Sequence, residues 1–159
     1  MYQQFKNIKN EQIGKAEAFE SEYSFEMAYL AYWIILEKSL KVIEVVRRKE
    51  ELYKLICEWK NYLEDVSKKT PKKITSFVLQ EPEKIPDAKV ISEFIGGLPL
   101  VIEIMNTQNK NGSTKWRDKR NNIAHQSDSF GSENKYQEYK AKVLSGIDEV
   151  ELRLREYMA

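Results

Sequence analysis

The sequence predicts an all-α protein, a four- to five-helix antiparallel bundle folded as a single domain over residues 1–159. Three observations carry that expectation. Only six glycines and four prolines punctuate the chain. No stretch alternates polar and apolar residues for long enough to need a strand. Apolar residues instead recur at three- and four-residue steps over most of the length. Hydrophobic residues make up 42% of the chain, with three Trp, nine Tyr and six Phe. That is enough apolar material for one core in a chain of this size and argues against general disorder.

The first helix is expected from about residue 22. Phe25, Ala28, Tyr32, Ile35, Leu36, Leu40, Ile43 and Val46 form a wide apolar stripe at helical spacing. The run Arg47-Arg48-Lys49-Glu50-Glu51 interrupts it, and the stripe resumes at Leu52, Leu55, Ile56, Trp59 and Leu63. No Gly or Pro lies between. Both a continuous helix over 22–65, roughly 65 Å long at about 1.5 Å per residue, and a bend or break near Arg48 are open on this pattern. Residues 67–86 read as loop around at most a short helix, with Pro71, Pro82 and Pro86 as punctuation.

Asp87 is placed to cap a helix through Phe94. Gly96-Gly97-Leu98-Pro99 breaks or kinks that helix, and Pro99 opens the turns through Met105. Residues 106–112 read as a polar loop. Ser113 or Thr114 caps the next helix, which carries Trp116, Arg117, Arg120 and Ile123 and ends near His125. Ser132 caps the last one. Its apolar positions are Tyr136, Tyr139, Val143, Ile147, Val150, Leu154 and Tyr157, in steps of three, four, four, three, four and three.

Charge is balanced, 26 basic residues against 25 acidic, so no bulk field advertises a nucleic-acid partner and any attraction to phosphate must be local. The single cysteine, Cys57, rules out an intrachain disulfide and a zinc-type ligand spacing and reads as a packed thiol. The N-terminus lacks the layout of a signal peptide. The longest apolar run, residues 27–36, is half of the twenty or so that a membrane span needs. A cytoplasmic protein without membrane contact, cofactor or metal is expected.

The most informative segment is Arg120-Asn121-Asn122-Ile123-Ala124-His125, and His125 is the only histidine. A guanidinium matches a phosphate with its planar fork, and histidine as a residue type exchanges protons near neutral pH. Together they are the minimum equipment for cleaving RNA without a metal. Asn121 lies four positions before His125, on one helical face with it, where its amide could hold the imidazole or contact a sugar or phosphate. Arg120 and His125 are five apart, about 140° around an ideal helix. To meet, the arginine must swing or the helix must tighten or end at Ala124. The plainer reading is that both side chains favour the negative end of a helix. Lys110, Lys115, Arg117 and Lys119 surround the motif and are candidates for holding an RNA backbone, which would make affinity salt-dependent. Lys68, Lys69, Lys72 and Lys73 form a second basic cluster that reads as solvated surface. Trp116 can stack a base, but its spacing to Ile123 reads as core.

The motif, late in an all-helical chain and before a loop and a long C-terminal helix, resembles the HEPN superfamily, the higher eukaryote and prokaryote nucleotide-binding domains. Their signature is an Arg, a polar residue, and a His four to six residues further on, in a helical bundle. The resemblance covers the motif and the order of the helices around it. It implies a metal-independent endoribonuclease, a toxin or antiviral-defence effector with an antitoxin protein as a partner. By that resemblance Arg120 stabilises the phosphate in the transition state. His125 is the general acid or base for attack by the ribose 2′-hydroxyl. Asn121 takes the polar slot, and two chains pair so that their motifs face one another in a composite active site. One subgroup, paired with a nucleotidyltransferase antitoxin, carries a tyrosine two positions after the histidine, where this chain has Ser127. The resemblance also admits a non-catalytic RNA-binding or protein-interaction module.

Overall fold

The computed structural model describes residues 1–67, 80–105 and 114–159, with side chains of the first stretch through Tyr62. These residues form six helices: α1 (Tyr2–Ser21), α2 (Phe25–Ser67), α3 (Ala88–Ile95), α4 (Pro99–Met105), α5 (Lys115–Gln126) and α6 (Glu133–Met158). The chain is all-α, with one or two helices more than expected. The loops expected over 67–86 and 106–112 fall largely outside the described residues, as do Lys68, Lys69, Lys72, Lys73 and Lys110.

The helix that periodicity did not reveal is α1. It buries Phe5, Gln12 and Ala16. These lie seven and four residues apart and so share one face, but one is polar and one is small. The buried face therefore leaves no apolar stripe in the sequence. The expected break in α2 does not occur. Glu44 pairs with Arg47 at 2.7 Å and with Arg48 at 2.6 Å, and Arg47 reaches Glu51 at 2.6 Å. These three- and four-residue pairs carry the helix through the charged run. The hydrogen bonds from Arg47, and then from Arg48, hold the Glu44 carboxyl below its ordinary range against the opposing effect of burial.

The later boundaries follow their caps. The side chains of Asp87, Thr114 and Ser132 accept from the backbone amides of Lys89, Arg117 and Lys135. Gly96, at φ 94°, ends α3 in the left-handed region.

The bundle is not antiparallel throughout. A turn of three residues folds α1 back along α2. Lys9 pairs with Glu151 while Glu20 pairs with Lys140, so α1 also runs antiparallel to α6. Phe25 stacks on Tyr136 at one end of the bundle, and the Tyr157 hydroxyl donates to Glu50 at the other, so α2 and α6 run parallel. The chain between them, containing α3, α4 and α5, makes the return.

Trp33, Leu36, Leu40 and Ile43 of α2 and Tyr136, Val143, Ile147 and Val150 of α6 fill the core with Phe5 of α1. A Cβ added to Gly146 would meet the Ile104 Cδ1 at 2.7 Å and Leu36 at 3.6 Å. The missing side chain thus lets α4 and α2 close on α6. Glu149 of α6 then accepts from the amides of Leu100 and Val101 at 3.2 and 2.9 Å, satisfying the first turn of α4. No helix among the described residues is long and apolar enough to cross a membrane.

Candidate functional site

Helix α5 carries the motif, and both of its ends are fastened. At the start, the Thr114 hydroxyl donates to the Ile104 carbonyl at 2.5 Å, and Arg117 Nη1 donates to the Met105 carbonyl at 2.8 Å. The buried Tyr29 hydroxyl donates to the Trp116 carbonyl at 2.8 Å. At the far end Ser127 adopts φ 53° and closes the helix with a backbone bond to the Asn122 carbonyl. Glu26 of α2 accepts from the Phe130 amide at 2.9 Å, and Phe130 is buried among Tyr29, Tyr136 and Tyr139. Ile123 is the buried face of α5.

Within this frame Arg120 is half-buried and held from two sides. Its Nη2 lies 2.9 Å from Glu37 Oε1 on α2, and its Nη1 donates to Asn121 Oδ1 at 3.1 Å. The guanidinium is thereby fixed in orientation, and its charge is balanced by Glu37. Asn121 bonds to the arginine rather than to His125. His125 is exposed, with Ala124 and Gln126 exposed beside it. The helix runs through to Gln126 and does not tighten at Ala124. Arg120 and His125 therefore project about 140° apart, so one chain brings Arg120 and Asn121 together but not the histidine.

The basic residues around the motif divide. Lys115 is exposed, pairs with Glu138 at 3.1 Å and sits 5.0 Å from the centre of the Trp116 ring. Lys119 is 11% exposed. It reaches Asp128 at 2.6 Å and the Ser129 carbonyl at 2.5 Å, and covers the Phe130 ring. The Lys119 hydrogen bond, with a backbone bond from Ser129, holds the Asp128 carboxyl below its ordinary range. Lys119 and Arg117 thus fasten the loops at the two ends of α5. Trp116 packs against the core, and Lys142 covers its ring at 4.9 Å.

Sequence reasoning missed Glu37, which lies 83 positions before its partner. Its one signal was its place directly after the apolar run 27–36, where a carboxylate on a helix entering the core needs a cation. A recess of about 480 Å³ lies elsewhere, between α2 and the segment before α3, lined by Glu44, Arg47, Arg48, Lys84 and Val90. Both of its arginines are already paired with Glu44. No group of three His, Cys, Asp or Glu side chains that could hold a metal occurs among the described residues. Compared with known protein families, curated proteins and solved structures, the chain matches none.

Proposed function

We propose that this chain is a metal-independent endoribonuclease of the HEPN type, acting in the cytoplasm as a toxin or antiviral-defence effector. The observation that supports the reading best is the surface of α5. It presents an arginine whose fork is held in place and, on the same short helix, an exposed and unique histidine. An oriented guanidinium costs little reorganisation when charge develops on a phosphate.

In the proposed reaction a ribose 2′-oxygen attacks the adjacent phosphorus. An imidazole takes the 2′-hydroxyl proton, the bond to the 5′-oxygen breaks, and a second acid protonates the leaving oxygen. The products are a 2′,3′-cyclic phosphate and a 5′-hydroxyl. Because one chain turns Arg120 and His125 apart, two chains supply the two imidazoles in this reading. Arg120 exchanges its contact with Glu37 for the phosphate, and Asn121 keeps the fork aligned. Lys115, exposed beside Trp116, is the basic residue best placed to meet an RNA backbone. An antitoxin protein that covers α5 would silence the enzyme.

One observation favours a second reading, a non-catalytic RNA-binding or protein-interaction module. The charge of Arg120 is already met by Glu37, so its role is satisfied without any ligand.

Arg120→Ala separates the two. The catalytic reading expects RNA cleavage to fall by about 10²–10³-fold and RNA affinity to fall with it, because a charge-assisted contact is removed. Single-turnover cleavage beside equilibrium binding measures both, with circular dichroism confirming the fold. Unchanged cleavage would favour the module.

A further inference from the structure

Helix α2 outruns the bundle. Its last fully buried side chain is Glu44, and no residue from 45 to 62 is buried. This projecting part is amphipathic the wrong way round. Its charged side faces the rest of the fold. Glu50 accepts from Tyr157, and Arg47, Glu51 and Lys54 line a recess shared with Val90 and Phe94 of α3. Its apolar side faces solvent. Leu55, Trp59 and Tyr62 are 62, 57 and 62% exposed, and Tyr53 beside them is 63% exposed. From Leu52 the steps are three, four and three, which places Leu52, Leu55, Trp59 and Tyr62 along one seam. The same register, followed back along the helix, meets Glu37, the partner of Arg120.

A helix gains most of its stability from packing one face, and here the face suited to packing is bare. Side chains of these sizes bury about 150–250 Å² each when covered. At about 60% exposure the four large ones leave roughly 500 Å² open, so a pair of copies would bury roughly 1,000 Å² through them alone. Leu52 and Ile56 add to that, bringing the total to the range of about 1,200–2,000 Å² found in stable interfaces. The stripe is a ridge without a central charge, so it calls for another apolar helical ridge. Among the described residues the remaining exposed large apolar side chains, such as Tyr23, Val90 and Leu152, are scattered over separate elements. The stripe itself is the one surface that matches it.

We propose that the projecting half of α2 is a self-association surface, on which a second copy of this chain lays the same stripe in a two-fold helix–helix contact. This surface stands on the packing of α2 alone and does not depend on whether α5 cleaves RNA.

The test is the oligomeric state of the full chain and of Leu55→Glu/Trp59→Glu, by sedimentation or light scattering at micromolar concentration. The parent is expected to be a dimer, and the variant a monomer with the same helical circular dichroism. Because both side chains are exposed, the substitutions leave the core untouched. Tyr53→Ser/Tyr62→Ser provides a milder variant, expected to raise the dissociation constant at least tenfold. Thermal unfolding supplies an independent readout. The midpoint should rise with concentration for the parent and be independent of it for Leu55→Glu/Trp59→Glu. A monomeric parent would overturn the proposal and assign the stripe to a different protein. A folded Leu55→Glu/Trp59→Glu that dimerises as the parent does would overturn it equally.

Discussion

His125→Ala is expected to abolish RNA cleavage, by about 10²–10⁴-fold in rate, the usual loss when one acid–base group is removed. The fold should be unaffected. His125 is exposed in the last turn of α5, and Ile123, not His125, is the residue that the helix buries. RNA affinity should change little, because a neutral imidazole contributes little to holding a phosphate. That separation distinguishes His125 from Arg120, where affinity and rate fall together. The measurement is single-turnover cleavage with equilibrium binding on the same RNA. Cleavage by His125→Ala at the parental rate would end the ribonuclease reading.

Trp33→Ala is expected to destabilise the fold by about 3–5 kcal/mol, the range for deleting a large buried aromatic side chain. Trp33 is 2% exposed at the centre of α2 and packs beside Tyr29, which in turn bonds to the Trp116 carbonyl. The cavity would therefore open where α2 supports α5. A domain of this size has only about 5–15 kcal/mol in hand, so the variant should lie close to unfolding at ordinary temperature. Urea titration checks this through the midpoint at constant slope. A loss below about 1 kcal/mol would mean that the neighbours collapse into the space.

Where burial and periodicity coincide, the fold was legible in the sequence. In α6 the predicted positions Tyr136, Tyr139, Val143, Ile147, Val150 and Leu154 are all buried. The caps at Asp87, Thr114 and Ser132 were legible because each is a short polar side chain ahead of an apolar pattern. Helix α1 was not, because Gln12 and Ala16 take core positions without an apolar signal. The continuity of α2 rests on ion pairs, which a pattern of apolar residues does not register. The parallel course of α2 and α6 is a matter of how the chain returns between them, which local periodicity cannot express.

The candidate site divides in the same way. Arg120, Asn121 and His125 are contiguous and could be read directly. Glu37 comes from a distant helix and needs the packed structure. The role of Lys119 in the Asp128–Phe130 loop was equally invisible, since a lysine in a basic run looks the same whether it points to solvent or folds back on a carboxylate.

The central claim is that this chain cleaves RNA with its own side chains, through the 2′-hydroxyl. The most direct measurement is incubation of a labelled RNA with the full chain in EDTA, followed by analysis of the new ends. The account predicts cleavage that survives chelation and leaves 2′,3′-cyclic phosphate and 5′-hydroxyl ends. Activity lost on chelation and restored by a divalent ion, or cleavage that leaves 5′-phosphate ends, would contradict it.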